Sequence, residues 1–226
     1  MTSRAGAPPR QGARRRGGRP LRVQAEQIRE QILDIATPLF LSQGYGATSI
    51  EEVARRARMS KRTVYSRFRD KAELFGAVVH GLVDRLRPPN AAPEQFFEGS
   101  SLEAILQRLA RLILRAALSP PALALHRVIV AEATRFPELA EAVNQEGARR
   151  EAIQRIAALL KREAPASGLS HAKAEFAAEQ FLHMLVAGPQ RRALGLGTPM
   201  TSEALDAWAQ DAVDLFLNGC RGPAAR

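Results

Sequence analysis

Apolar residues recur every three or four positions along most of the chain, which is the spacing of one helical face. The first such segment spans residues 23–43, and Pro38 inside it is expected to kink the helix because proline removes a backbone donor. Gly44 and Gly46 are expected to end this helix and allow a turn. No convincing alternation of apolar and polar residues indicates strands. The pattern therefore predicts an all-α protein, and its first apolar face consists of Ile28, Ile32, Ile35, Ala36, Leu39 and Phe40.

Further along the chain, proline and glycine divide the sequence into amphipathic segments. One is expected near residues 71–86. The others are predicted over residues 101–118, 122–134, 138–162, 171–192 and 202–218.

The segment from residue 44 to residue 71 predicts two short helices joined by a tight corner. Thr48 or Ser49 can cap the first helix, and Glu51 and Glu52 lie in its first turn, where negative charge is favourable. Its buried stripe is predicted to consist of Ile50, Val53, Ala54 and Ala57.

The second short helix is expected to start at Ser60, whose hydroxyl can cap free amides. Val64 and Phe68 lie four residues apart and form its inward face. The outward face combines charged donors, hydroxyls and a methyl group, which suits phosphates and base edges of DNA. That face consists of Lys61, Arg62, Thr63, Tyr65, Ser66 and Arg67.

The positive charge is concentrated near the N-terminus. Residues 1–80 contain 16 Lys and Arg against seven Asp and Glu, whereas residues 81–226 contain 17 against 16. This split favours a basic module that binds a polyanion, joined to a near-neutral module. Residues 1–22 contain seven arginines and no acid, so we expect a disordered basic arm. The arm either contacts phosphates or the minor groove, or it is a solubilising tail.

Over residues 25–80 the chain resembles the DNA-binding domain of the TetR/AcrR family of bacterial repressors. The shared elements are Gly-Tyr-x-x-Thr-Ser, Val-Ala-x-x-Ala, Met-Ser-Lys-x-Thr-Val-Tyr and Phe-x-x-Lys-x-x-Leu. The resemblance implies that Thr48 and Lys71 contact phosphates, and that Lys61, Thr63 and Tyr65 line the recognition surface. The candidate DNA-binding residues are therefore Thr48, Ser49, Ser60, Lys61, Arg62, Thr63, Tyr65, Ser66, Arg67 and Lys71. The resemblance also implies an N-terminal three-helix helix-turn-helix domain and a C-terminal helical domain for ligand binding and dimerisation.

Three positions depart from the family pattern, and each adds positive charge. Arg58 stands where the family usually has a turn glycine, which would cost on the order of 1 kcal/mol in a left-handed conformation. Arg62 stands where the family often has a small residue, and Arg67 stands where it often has histidine. Either arginine reads a base edge or anchors a phosphate.

Residues 132–139, with the pattern Glu-Ala-x-Arg-Phe-Pro-Glu-Leu, resemble a segment found in one subset of the family. Pro137 suits the first turn of a new helix and Phe136 can pack across the joint, so a structural corner is expected.

The family resemblance also implies an effector pocket among the central helices. Apolar residues at helical spacing are equally consistent with ordinary core packing, and the two histidines with backbone partners. The candidate effector-binding residues are Leu109, Ile113, His126, Phe176, His183 and Met184.

The last two helices carry wide apolar faces that need cover. The resemblance implies that they pair with a second copy as a four-helix bundle, and a two-fold dimer matches a palindromic operator. Ligand binding would then pivot the helix near residues 71–86 and change the spacing of the recognition helices. The candidate interface residues are Phe181, Leu185, Trp208, Leu215 and Phe216.

No motif for catalysis or phosphate cradling occurs, so we expect neither an enzyme nor a cofactor. His171 and His183 are too far apart to share an ion, so no metal is expected either. No apolar run reaches the about 20 residues of a membrane helix, and Cys220 has no disulfide partner, which favours the cytoplasm.

The predicted domains are a basic arm (1–22), a helix-turn-helix domain (23–70) and an effector-binding and dimerisation domain (71–220). The predicted function is a repressor that a small molecule releases from a palindromic operator. The alternative is a basic protein that binds DNA without sequence preference.

Overall fold

The computed structural model describes residues 19–86, 101–139, 148–163 and 169–219. Within these ranges the chain forms nine helices and no strand, which confirms the all-α prediction, and a further helical turn begins at residue 137. Most of the predicted arm, residues 1–18, and Cys220 lie outside the described residues. The helices are α1 (Arg19–Ala47), α2 (Ile50–Arg56), α3 (Lys61–Tyr65), α4 (Lys71–Leu86), α5 (Leu102–Ala117), α6 (Pro120–Glu132), α7 (Ala148–Glu163), α8 (His171–Ala193) and α9 (Ser202–Asn218).

Helix α1 starts earlier than predicted, and its regular geometry ends where predicted. It begins at Arg19, so the predicted disordered arm is too long by four residues. The helical span continues through Pro38, and its non-helical residue is Gly44, with φ 87° and ψ 173°. Gly44 therefore ends the regular part of α1, as predicted, whereas no non-helical residue marks the kink expected at Pro38. Proline removes only one hydrogen bond, whereas the positive φ of Gly44 takes the backbone out of the helix altogether.

The first core joins α1, α2, α3 and α4 to α6. The rings of Phe40 and Tyr45 each pack edge-on against Phe75, with centroids 5.2 Å and 5.4 Å away. Val128 of α6 and Leu139 beyond it are buried in the same cluster. The predicted domain boundary at residue 70 therefore does not coincide with a break in packing. Other buried members include Ile32, Ala36, Leu39, Val53, Ala54, Val64, Phe68, Leu74, Val78 and Leu82.

The second core joins α5, α7, α8 and α9. Helices α8 and α9 approach closely where the Trp208 ring lies over Gly188, so that a Cβ on this glycine would be 2.9 Å from the indole. The Trp208 indole N–H donates to the Leu185 carbonyl oxygen across the same joint, at 2.9 Å. Buried members include Ile105, Leu106, Leu109, Leu114, Ile156, Leu160, Ala178, Phe181, Leu182, Leu185 and Val213.

Within the described ranges, no individual helix has both the length and the apolar character needed to cross a membrane. Helices α5 and α6 meet that test only as a pair, and they are bent by 67° relative to each other. No group of three or more His, Cys, Asp or Glu side chains in these ranges is arranged to hold a metal ion.

Candidate nucleic-acid interface

Helix α2 starts at a side-chain cap. The Ser49 hydroxyl accepts a hydrogen bond from the Glu52 amide at 3.1 Å, so Ser49, and not Thr48, is the capping residue. Ile50 and Val53 are buried beneath the helix. Hydrogen bonds from the guanidinium groups of two following arginines hold the pKa of Glu52 below its usual value.

The corner between α2 and α3 is a Schellman turn with an arginine in its left-handed position. Arg58 has a φ of 54°. The Arg58 amide donates to the Arg55 carbonyl oxygen, and the Met59 amide donates to the Ala54 carbonyl oxygen. Glycine usually occupies this position because a Cβ is strained there. The two hydrogen bonds satisfy carbonyl groups that the end of α2 leaves free.

Ser60 caps α3, as predicted, and the helix itself starts at Lys61. The Ser60 hydroxyl accepts from the Thr63 amide at 3.1 Å and lies 2.9 Å from the Thr63 hydroxyl. Val64 and Phe68 are buried in the first core together with residues of α1, α2 and α4. Their position orients the opposite face of α3 outward.

The outward face of α3 carries the side chains predicted to read DNA. Lys61, Arg62, Tyr65 and Ser66 are exposed, and half of the Tyr65 side chain is accessible to solvent. A large aromatic residue exposed to that extent among basic side chains is typical of a binding surface. Thr63 and Arg67 are half-buried at its edges.

Several of these side chains already have partners within the chain. The Lys61 ammonium lies 2.7 Å from the Glu51 carboxylate, and this hydrogen bond lowers the pKa of Glu51. The Ser66 hydroxyl donates to the Thr63 carbonyl oxygen at 2.7 Å. The Arg67 Nε is buried and has no hydrogen-bond partner among the described residues. This nitrogen could reach an acceptor on DNA only if the Arg67 side chain moved.

Thr48 and Lys71 are placed differently from what the family resemblance implies. Thr48 is only 1 % exposed and its hydroxyl donates to the Gly44 carbonyl oxygen at 2.7 Å, so its side chain does not reach the outward face. The Lys71 ammonium donates to the carbonyl oxygens of Tyr45 and Thr48 at 2.9 Å and 3.2 Å. Burial lowers the pKa of Lys71. Both side chains hold the turn between α1 and α2.

The candidate effector residues are not all in one place. Leu109 is buried in the second core, and Ile113 and Met184 pack against it. Phe176, however, is 64 % exposed, and His183 is exposed beside Arg149, with 2.8 Å between their nitrogens. These two side chains project from α8 away from its buried face, so the prediction that they line an interior pocket is wrong for this single chain. The remaining candidate, His126, is half-buried on α6.

The candidate dimer residues are similarly divided. Phe181 and Leu185 are completely buried within their own chain, so they cannot form a surface for a partner. Phe216 stacks obliquely on Phe181, with centroids 4.9 Å apart, and Trp208 is half-buried against α8. Leu215 alone of the five is exposed, at 42 %. The helical spacing of apolar residues showed that α8 and α9 have apolar faces. It could not show which apolar residues pack into the chain's own core and which remain on its surface.

Two further features of this region were not predicted. Helix α4 begins with a capping box in which Asp70 accepts from the Glu73 amide and Glu73 accepts from the Arg69 amide, at 2.8 Å and 2.6 Å. The spacing Asp-x-x-Glu could have revealed this motif. The second feature is the Glu132 carboxylate, which accepts from the amides of Tyr45 and Gly46. No local pattern indicates a contact between such distant positions.

Comparisons with known proteins match both halves of this architecture. Residues 32–78 match the family model of bacterial regulatory proteins of the tetR family. Residues 104–219 match the model of the AefR-like transcriptional repressor C-terminal domain. The HTH-type transcriptional regulator AcrR of Shigella flexneri is 37 % identical over 60 residues, which cover 26 % of this chain and 28 % of that protein. The match thus spans less than a third of that relative's length.

Solved structures extend the similarity over most of the chain. A TetR-family transcriptional regulator from Mesorhizobium loti superposes with a TM-score of 0.68 and 32 % identity, covering 86 % of this chain and 96 % of that one. The flavonoid-responsive regulator FrrA gives the same TM-score with 30 % identity, covering 88 % of this chain and all of its own. With both family models matched and these likenesses along most of its length, the chain belongs to the TetR family of bacterial transcriptional regulators.

Proposed function

We propose that this protein is a homodimeric transcriptional repressor that binds a palindromic operator through α3 and leaves it when a small molecule binds the C-terminal helices. The observation that carries this proposal is the outward face of α3, a polar and basic surface centred on the half-exposed Tyr65. The family models support a regulator, and the C-terminal model is described as that of a repressor.

The recognition face suits the major groove. Lys61 and Arg62 at the start of α3 are exposed cations that supply donors for phosphates or guanine edges. Binding DNA would exchange the exposed Lys61–Glu51 ion pair for a phosphate contact, which costs little because such surface pairs contribute little. Arg67 lies beside them, half-buried, and a change of its side-chain conformation would let its guanidinium reach a phosphate.

The dimer interface is proposed on the exposed side of α8 together with α9. Phe176, Gln180, His183 and Ala187 are all exposed and recur at helical spacing on the side of α8 opposite its buried residues. Leu215 of α9 is exposed as well. Covering this face with a second copy would remove Phe176 from water, and apolar burial is the main driving force for association.

The dimer proposal is tested by Phe176→Glu, compared with Val130→Glu. Phe176 and Val130 are 64 % and 66 % exposed, so the control places the same charge at an equally exposed apolar position on α6. Light scattering of the full chain should find monomers for Phe176→Glu and dimers for Val130→Glu. Dimers in both cases would place the interface elsewhere.

The effector site is proposed among α5, α6 and α8, near Leu109, Ile113, Met184 and His126. Ile113 and Met184 pack against the second core that contains Leu109, and the half-buried His126 on α6 supplies an imidazole that can orient a polar group. FrrA is named flavonoid-responsive, so planar polyphenols are the first class of compound to test. An active compound should release labelled operator DNA and raise the unfolding temperature.

The deciding experiment separates this proposal from nonspecific DNA binding. Purified full-length protein selects fragments of genomic DNA at physiological salt, in parallel with Tyr65→Ala, Arg62→Ala and a chain that lacks residues 1–18. Arg150→Ala, which removes the same charge as Arg62→Ala from an exposed position on α7, is the control.

Recovery of one inverted repeat, lost with Tyr65→Ala and retained with Arg150→Ala, supports a sequence-specific dimer. Unselective recovery that disappears when residues 1–18 are removed would instead identify a nonspecific binder. A reporter gene behind the recovered repeat then determines whether the protein represses or activates.

A further inference from the structure

The carboxylate of Glu132, at the end of α6, binds the turn between α1 and α2. Its Oε1 accepts a hydrogen bond from the Tyr45 amide at 2.8 Å, and its Oε2 accepts from the Gly46 amide at 2.6 Å. The positive φ of Gly44 ends the regular part of α1 just before these two amides. One carboxylate that satisfies two backbone donors with charge-assisted hydrogen bonds is a strong and directional contact.

The two glycines of the turn make room for this carboxylate. A Cβ at Gly44 would overlap the Glu132 Oε1 atom, and its positive φ is unfavourable for other residues in any case. A Cβ at Gly46 would lie 2.9 Å from Glu132 Oε2 and 3.1 Å from the Phe136 ring. Gly46 has no positive φ, so only the approach of α6 and the residues after it requires a glycine at this position.

Further contacts surround the carboxylate. The Phe136 ring packs edge-on against Tyr45 at 5.2 Å, and the Tyr45 hydroxyl donates to Glu138 at 3.2 Å. The Lys71 ammonium, at the start of α4, donates to the carbonyl oxygens of Tyr45 and Thr48 in the same turn and lies 5.7 Å from the centre of the Phe136 ring. Both the start of α4 and residues 132–138 therefore contact the turn, which leads directly into Ser49, the cap of α2.

We infer that Glu132 is a positioning residue for operator recognition, acting through the backbone of Tyr45 and Gly46. By fixing the turn, Glu132 sets the orientation of α2 and α3 relative to the C-terminal helices. In a dimer, that orientation determines the distance between the two copies of α3, the recognition helix. This inference rests on the proposed function. It assigns a role to residues 132–139, which contribute no side chain to the outward face of α3.

The test measures the spacing preference of the operator as well as affinity. Full-length wild type, Glu132→Gln, Gly46→Ala and the control Glu103→Gln are titrated with the selected operator and with versions that have one base pair added or removed between the half-sites. Glu103 is exposed in the first turn of α5, away from the turn between α1 and α2. Gly46→Ala disturbs the contact from the other side, so the test does not depend on one variant.

Glu132→Gln should weaken binding to the native operator by about tenfold, the magnitude expected for one charge-assisted hydrogen bond. Its preference for the native spacing should shrink, and Gly46→Ala should act in the same direction, while Glu103→Gln behaves as wild type. An affinity loss that is equal for all spacings, or no loss in either variant, overturns the inference. If wild type itself selects no inverted repeat, the proposed function fails and the inference fails with it.

Discussion

The Lys71 ammonium lies 4.3 Å from the centre of the Tyr45 ring and donates a hydrogen bond to the carbonyl oxygen of the same residue. One cation thus contacts both the side chain and the backbone of the residue at the centre of the turn between α1 and α2. Burial lowers the pKa of Lys71, and the carboxylates of Glu132 and Glu138 partly oppose that shift. In the absence of DNA, Lys71 is therefore part of the folded framework.

Replacement of Lys71 by methionine should lower the free energy of unfolding by about 1–3 kcal/mol, because two carbonyl groups lose a charged donor. Urea unfolding of the full chain measures this change. Lys61→Met is the control, since Lys61 is 58 % exposed and its ion pair with Glu51 is at the surface. Equal stability of the two variants would show that the Lys71 hydrogen bonds do not stabilise the turn.

Tyr45→Phe should change how stability depends on alkaline pH. Burial, and then the neighbouring Glu138 carboxylate, raise the pKa of Tyr45. A tyrosine in the unfolded chain ionises near pH 10, so the stability gained by keeping Tyr45 neutral is present below about pH 10 and is lost as pH rises beyond it. Phenylalanine does not ionise and should remove this part of the loss.

Urea unfolding at about pH 8 and at about pH 11, on either side of the tyrosine titration, measures this effect. Tyr65→Phe, which removes the same hydroxyl from a half-exposed ring outside both cores, is the control. The explanation is wrong if the two variants lose stability in parallel.

Ser60→Ala should destabilise the protein by about 1 kcal/mol, because the Thr63 amide loses its cap. Ser60→Asp restores an acceptor at the same place but adds a negative charge at the start of the recognition helix. We expect Ser60→Asp to recover the stability and still bind the operator about tenfold more weakly, through repulsion by phosphates. Fluorescence anisotropy measures the affinity, and recovery of both properties by aspartate would exclude a phosphate near Ser60.

Arg58→Gly should stabilise the corner by up to about 1 kcal/mol, because glycine tolerates a left-handed backbone. Arg58→Ala keeps the Cβ and should bring no such gain, although both substitutions remove the same charge. Thermal unfolding of the two variants separates the backbone effect from the charge effect. Identical unfolding temperatures would mean that the positive φ of Arg58 carries no cost.

The parts of the fold that depend on neighbours in sequence could be predicted well. Ser60 caps α3 because a hydroxyl at that position reaches the Thr63 amide within the same turn. Val64 and Phe68 are buried because their four-residue spacing, with the Phe68 amide donating to the Val64 carbonyl oxygen, places both on the inward side. Such relationships need only helical geometry.

Other properties depend on helices that are distant in sequence. Phe181 and Phe176 are equally apolar and lie on the same helix, yet one is fully buried and the other 64 % exposed. Which of them faces α9 is decided by how α8 is rotated in the bundle, and periodicity does not specify that rotation. Glu132 and Tyr45 are 87 positions apart, so their hydrogen bond has no local signature.

The burial of Val128 and Leu139 in the same core as α1–α4 bears on the construction of hybrid regulators. A recombination point at residue 70, or at the end of α4, would separate the DNA-reading helices from apolar side chains that complete their core. If helices α1–α4 are transferred to another member of the family, residues 125–139 should therefore be transferred with them. Residues 125–139 pack as part of the α1–α4 domain, although they begin about forty positions after the end of α4.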